Sequence, residues 1–186
     1  MATQEISAQY RIQLLNGKLI SAQTCQENNM YVSFRKPGDK GTHFRSIDRY
    51  DVFSITDSMG IEKIIYRPTD TLDLTVEEAR FFIDGENAAR QFYTPLLPPV
   101  SAALVGVGSS LLGLYGLPLP MLYAVVLTRA KAPEMSRPPG YDQALVNNEA
   151  FRLGYEKAAR NIKIQRCLTF GYIGLGAGIA GLLLLR

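Results

Sequence analysis

CLTFGYIGLGAGIAGLLLL, residues 167–185, runs for nineteen positions without a charged side chain. At about 1.5 Å of rise per residue, a helix of this length matches the roughly 30 Å hydrocarbon core of a bilayer. Lys163 and Arg166 precede the run and Arg186 follows it, where long cationic side chains reach the polar interface. Gly171, Gly174, Gly178 and Gly181 recur at helical spacing, and Gly174 with Gly178 makes a GxxxG pair. In lipid no water-driven term pulls helices together, so small residues set how closely two backbones approach. The spacing predicts a transmembrane helix whose glycines pack on another helix of the chain or on a second copy.

Upstream, residues 94–128 are also uncharged. That stretch is too long for one span and too short for two. Pro98-Pro99 opens it and Gly116-Leu117-Pro118-Leu119-Pro120 interrupts it. The reading is a span over residues 100–116, then an interfacial or re-entrant segment over 121–128. Backbone groups freed near the prolines must lie at the interface or be covered by the other helix. Gly106-Val107-Gly108-Ser109-Ser110 is glycine-rich, but no Lys follows it, so it reads as packing and not as a phosphate cradle.

Every charge of the 186-residue chain lies outside these stretches. Residues 1–93 carry a net −2 and residues 129–166 a net +4, with Arg186 completing the +3 total. The basic balance therefore belongs to one linker and does not argue for nucleic-acid binding by the whole chain. In that linker, Pro133 and Pro138-Pro139-Gly140 mark a loop, and a helix is expected from an Asp142 cap to Lys163. Leu145, Phe151, Tyr155, Ala158 and Ile162 form its apolar stripe. Arg152, Lys157, Arg160, Lys163 and Arg166 form a basic set facing anionic lipid, the plainer alternative being a solvated helix with pairs such as Glu156–Arg160.

Orientation is in conflict. The eight Lys/Arg of residues 129–166 belong in the cytoplasm by the positive-inside rule, and a single span at 100–116 would then put residues 1–93 outside. Met1 to Glu5 has neither a basic nor an apolar leader region to export them. A re-entrant first segment resolves the conflict by keeping both charged blocks inside; a removed leader resolves it the other way.

Residues 1–70 read as β structure. Asn16-Gly17 signals a hairpin through a type I′ turn, with a return strand over residues 18–26. Met30 to Arg35 alternates as a half-buried strand, Pro37 to Gly41 is a turn cluster, and short strands are expected at 44–47, 52–55 and 61–66. Thr75-Val76-Glu77-Glu78 is a capping box opening a helix to about Phe92, with Gly85 as a place for a kink. Cys25 and Cys167 lack metal-ligand spacing and are not expected to pair; lone His43 reads as a surface loop residue. No cofactor is implied.

The fold class is thus an α+β membrane protein: a small antiparallel β barrel or sheet of SH3-like or Sm-like size, amphipathic helices and two transmembrane segments. Its divisions are residues 1–70, a juxtamembrane helix at 71–93, the apolar segment 94–128, the basic segment 129–166 and the second span at 167–185.

Several motifs carry a resemblance: Ile12-x-Leu14-x-Asn16-Gly17-Lys18-x-Ile20, Tyr31-Val32-x-Phe34, Asp51-Val52-Phe53-x-Ile55 and Gly60-x-Glu62-x-Ile64-x-Tyr66. They are followed by Glu77-Glu78-Ala79-Arg80-x-x-Ile83-x-Gly85-Glu86-x-x-Ala89-Arg90, then Phe151-x-x-Gly154-Tyr155-x-x-x-Ala159-Arg160 and the final glycine-rich span. Over nearly its whole length the chain resembles a family of envelope membrane proteins widespread in Bacteroidetes-type bacteria. The resemblance implies a bacterial inner-membrane location; its motifs are structural and imply no catalytic residue.

Three function classes follow. The first is a membrane-anchored, non-enzymatic interaction or scaffold protein of the cell envelope, partnered by the bilayer and by a protein or second copy through the glycines. The second is a membrane-tethered nucleic-acid-binding barrel using Arg35, Lys36, Lys40 and Arg45 with Tyr31, Phe34 and Phe44 between them. The net −2 of the block opposes it. The third is an enzyme built on Asp48, Asp51 and Asp57, which read better as turn residues.

Overall fold

The computed structural model describes residues 10–39, 44–70, 72–129 and 140–184. The chain is α+β, with small antiparallel sheets followed by five helices among the described residues. It divides into two units, Met1–Ile83 and Asp84–Arg186, and the division falls inside the first helix.

The first unit holds β1 (Tyr10–Leu14), β2 (Leu19–Ala22), β3 (Thr24–Glu27), β4 (Tyr31–Arg35), β5 (Arg45–Asp48), β6 (Val52–Thr56) and β7 (Glu62–Ile64). One sheet has the order β2-β1-β6-β7 and the other β3-β4-β5, all neighbours antiparallel. The single return strand expected over 18–26 is bent at Gln23, whose amide donates to the Arg35 carbonyl at 2.7 Å. The bend lets one run serve both sheets. A helical turn, Arg49–Asp51, carries the chain from β5 to β6, and the Asp48 carboxylate accepts the Tyr50 amide at its start.

The first hairpin differs from its expected form. Among the described residues none other than glycine has positive φ, so Asn16 is not left-handed and the turn is not type I′. Instead Gly17 alone takes φ 73°, its amide donates to Leu14, and the Leu14 amide donates to Lys18. That is a three-residue loop with a glycine bulge, the next commonest hairpin solution.

Alternation along β1 and β4 turns Ile12, Leu14, Val32 and Phe34 inward, where they form one buried cluster with Ala22, Val52, Ile55 and Ile65. A second cluster joins Phe53 to Ala79 and Ile83 of α1 (Val76–Phe92). The expected capping box opens α1: Glu78 donates its amide to the Thr75 hydroxyl at 3.3 Å, and its carboxylate accepts the Thr75 amide at 2.8 Å. Those bonds hold the Glu78 carboxyl below its usual range. No kink occurs at Gly85; the helix is unbroken for 17 residues.

The second unit contains the rest of α1, then α2 (Leu97–Ser109), a tight helical turn (Ser110–Gly116), α3 (Leu119–Arg129), α4 (Gln143–Val146) and α5 (Glu149–Leu184). Helix α2 is 13 residues, about 20 Å at helical rise, and so falls short of the span expected over 100–116. The expected helix from Asp142 breaks after α4, and Asp142 makes no side-chain cap. Asn148 caps α5 instead, accepting the Ala150 and Phe151 amides. From there one 36-residue helix runs through both the basic segment and the apolar stretch. It is the helix, among the described residues, that is long and apolar enough to cross a membrane.

Candidate functional site

The site is the surface along which α2, the following turn and α3 pack on α5. Pro98 and Pro99 fall in the first turn of α2, where a missing amide leaves no bond unmade. At its other end the Ser109 and Ser110 hydroxyls donate to the Gly106 and Val107 carbonyls, each at 2.7 Å. Gly113 reverses the chain with φ 56° and ψ −129°, a conformation that disfavours any Cβ. Gly116 then lies so close to the Ser109 carbonyl that a side chain there would collide with it.

The direction of the packing follows from glycine seats. A Cβ on Gly106 would strike the Gly171 carbonyl, one on Gly174 the Ala103 carbonyl, and one on Gly178 the Ser110 hydroxyl. The carbonyls of Ala102, Ala103 and Val107 face Gly171, Gly174 and Gly178 in turn, so partners on α5 advance as residues on α2 advance and the two helices run parallel. A Cβ on Gly171 would be 2.9 Å from Pro120, Ala124 clusters with Cys167 and Ala102, and the Lys163 ammonium donates to the Leu127 carbonyl at 2.7 Å. Partners of α3 therefore retreat along α5, and α3 runs antiparallel to it. Residues 97–129 form a helical hairpin that starts and ends beside the Lys163 end of α5. Its contacts at Gly178 lie fifteen residues, about 22 Å, beyond Lys163.

Of the four glycines expected to pack, Gly171, Gly174 and Gly178 are filled by this hairpin of the same chain, whereas Gly181 has open space where a Cβ would go. The outer surface is apolar: Leu104, Val107, Leu111, Leu122, Val126, Ile173 and Leu183 are all exposed, and only 22% of the most apolar α5 window is buried.

The basic set separates. Arg152, Lys157 and Arg160 are exposed, and Arg166 is half-buried. Lys163 does not face outward as expected; it is 9% exposed and caps the last turn of α3. Lys157 is bound at 3.2 Å to Glu86, whose buried carboxylate also pairs with Arg90 at 3.2 Å. Sequence reasoning missed two parts of this arrangement. Gly85 was expected to weaken α1, yet it is a seat, because a Cβ there would collide with the Phe151 carbonyl. Glu86 gave no signal beyond its position one residue after that glycine.

The possible patch of the first unit is not brought together as a set. Phe34 is buried in the core, opposite Arg45 in the ladder, while Arg35 follows Phe34 by one residue and points to the other face. Arg45 pairs with Asp39 at 3.6 Å, Lys36 is exposed, and Lys40 and His43 lie outside the described residues, as do Pro133, Pro138 and Pro139. Asp57 accepts the Met59 and Ile61 amides, each at 2.9 Å, as a turn residue does. Cys25 borders the β core and burial pushes its thiol up; Cys167 is buried between helices.

No protein-family model matches the chain, and neither the curated proteins nor the solved structures contain a match to it.

Proposed function

We propose that the chain is a membrane-anchored, non-enzymatic interaction protein of a bacterial inner membrane. In this reading α5 is the single span, the α2–α3 hairpin is a re-entrant segment, and a small β barrel of SH3-like or Sm-like size faces the cytoplasm. The observation that carries it is the course of the hairpin, which begins and ends beside the same end of α5. With that course the eight Lys/Arg of residues 129–166 and the whole of residues 1–93 share one side, and the orientation conflict disappears. The uncharged turn at 110–118, which meets α5 where Ser110 lies against Gly178, supports burial in lipid. Large exposed apolar side chains on α2, α3 and α5 suit a hydrocarbon solvent and would be an aggregation surface in water.

The barrel reading of the first unit rests on the bent β2–β3 run shared by two sheets and on the helical turn linking them. An interaction role fits a unit whose carboxylates Asp48 and Asp57 are engaged in turns and whose exposed aromatic Tyr50 stands on a short helical turn. Extraction tests the anchoring. The full chain expressed in a bacterium should stay in the membrane pellet through alkaline carbonate and leave it only with detergent. Release of the full chain by carbonate alone would defeat the proposal.

A further inference from the structure

A cleft of about 350 Å³ opens on the first unit between the helical turn at Arg49 and the segment after β7. Its floor is Ile65, only 4% exposed, and its walls include Tyr66, whose hydroxyl is committed to the Leu74 carbonyl at 2.8 Å. Two guanidinium groups, Arg49 and Arg67, line it, and Tyr50 lies beside them with 78% of its surface exposed. Arg49 reaches Glu27 at 3.3 Å through one terminal nitrogen, yet its Nε is buried and has no partner among the described residues. That Nε is closed to an acceptor from outside, so recognition in the cleft falls to Arg67 and the terminal nitrogens of Arg49. The one carboxylate in the lining, Asp73, is already used: one of its oxygens accepts the Thr69 amide and hydroxyl and the Asp70 amide at 2.8 to 3.0 Å. The cleft thus presents more cation than anion.

We infer that this cleft is a recognition site for a single carboxylate carried on a peptide, an Asp or Glu side chain of a partner protein. This rests on the reading of the β unit as the interaction module and names the chemistry of its partner. The volume accepts one or two side chains and is at the small end for a cofactor pocket. A guanidinium presents a planar fork that matches a carboxylate, and exposed tyrosine with arginine is the composition of interface centres. A phosphodiester chain is the poorer fit, because the −2 of residues 1–93 repels a polyanion more than one carboxylate.

The test uses the full chain in lipid nanodiscs and fluorescent nonapeptide pools with blocked termini. One pool has a fixed central glutamate among uncharged residues, and the control has glutamine there. The glutamate pool should bind about tenfold more tightly, the worth of one charge-assisted hydrogen bond. Arg67→Gln should abolish that preference. Arg67 is exposed and outside the core, so this variant folds even if Arg49→Gln, which loosens Glu27, does not. Equal binding of the two pools, a preference that survives Arg67→Gln, or displacement of the peptides by inorganic phosphate at matching concentration would each overturn the inference. None of these outcomes bears on carbonate extraction, so failure here and failure of the anchoring reading are distinguishable.

Discussion

The two units fill their interiors by opposite means. In the β unit the buried volume is branched and aromatic side chain: Ile12, Val32, Phe34, Val52 and Phe53. In the helical unit Phe151 and Tyr155 are buried near the start of α5, but along its apolar stretch the interior is glycine, alanine and backbone, with Gly106 and Gly174 letting carbonyl groups of neighbouring helices come close. Burial of a large side chain from water contributes about 1.5–3 kcal/mol, and that drive explains the first pattern. On the proposed membrane reading the same burial between helices contributes almost nothing and contact distance takes over, which would account for the second. The outer surfaces agree: α2, α3 and α5 show leucine, valine and isoleucine outward, whereas ion pairs such as Arg80–Glu62 and Arg49–Glu27 decorate the β unit.

If this contrast is correct, added bulk should harm one unit and lost bulk the other. Gly174→Leu combined with Gly178→Leu should unseat the hairpin, because both side chains would run into α2. Membrane yield should stay normal, since leucine inserts at least as well as glycine, while disulfide crosslinking between a cysteine placed at Ala102 and Cys167, which share one buried cluster, should be lost. In the β unit the corresponding damage comes from Ile12→Ala. It should destabilise that unit by about 2–5 kcal/mol, read as a lower thermal midpoint of the β signal, with the hairpin crosslink unaffected.

A smaller effect is expected at Lys163. Lys163→Met leaves the Leu127 carbonyl without its donor and should cost about 1–3 kcal/mol locally. Hydrogen exchange at residues 125–129 should accelerate while the α5 amides stay protected.

Much of the β unit is legible in sequence, because period-2 alternation and turn residues are local signals. Met30 to Arg35 and the Thr75 capping box follow from neighbours within four positions. The bend at Gln23 does not, since it depends on pairing with Arg35 twelve residues away. In the helical unit the glycine spacing is legible but its occupant is not. Whether Gly174 meets a second copy or Ala103 depends on where Gly113 and the prolines return the chain. Lys163 belongs to the same class: helical spacing set it among outward cations, and only the return of α3 turns it into a cap.

Acid should separate the units further. Asp73 and Glu78 are held below their ordinary values of 3.8 and 4.5, chiefly by backbone amides of Thr69 and Thr75. A carboxyl lowered on folding adds stability that is complete above its unfolded value and lost as pH falls through its folded one. The thermal midpoint of the β unit should therefore be level from neutral pH to about 5 and fall below about 4, modestly, as both groups are exposed. Thr75→Ala should flatten part of that fall. The smallest change of all is expected for Gly181→Leu, which enters open space and should leave both the crosslink and the thermal midpoint unaltered.

The course of the hairpin is tested most directly by single cysteines in sealed inner-membrane vesicles, with Cys25 and Cys167 replaced by alanine. A membrane-impermeant maleimide is applied to Asn29→Cys in the β unit, Asn147→Cys before α5 and Leu184→Cys at its end. Asn29→Cys and Asn147→Cys should label together in cytoplasm-out vesicles, and Leu184→Cys should label only in vesicles of the opposite orientation. Labelling of Asn29→Cys and Asn147→Cys from opposite sides would mean that residues 94–128 cross the membrane, and would contradict a re-entrant hairpin.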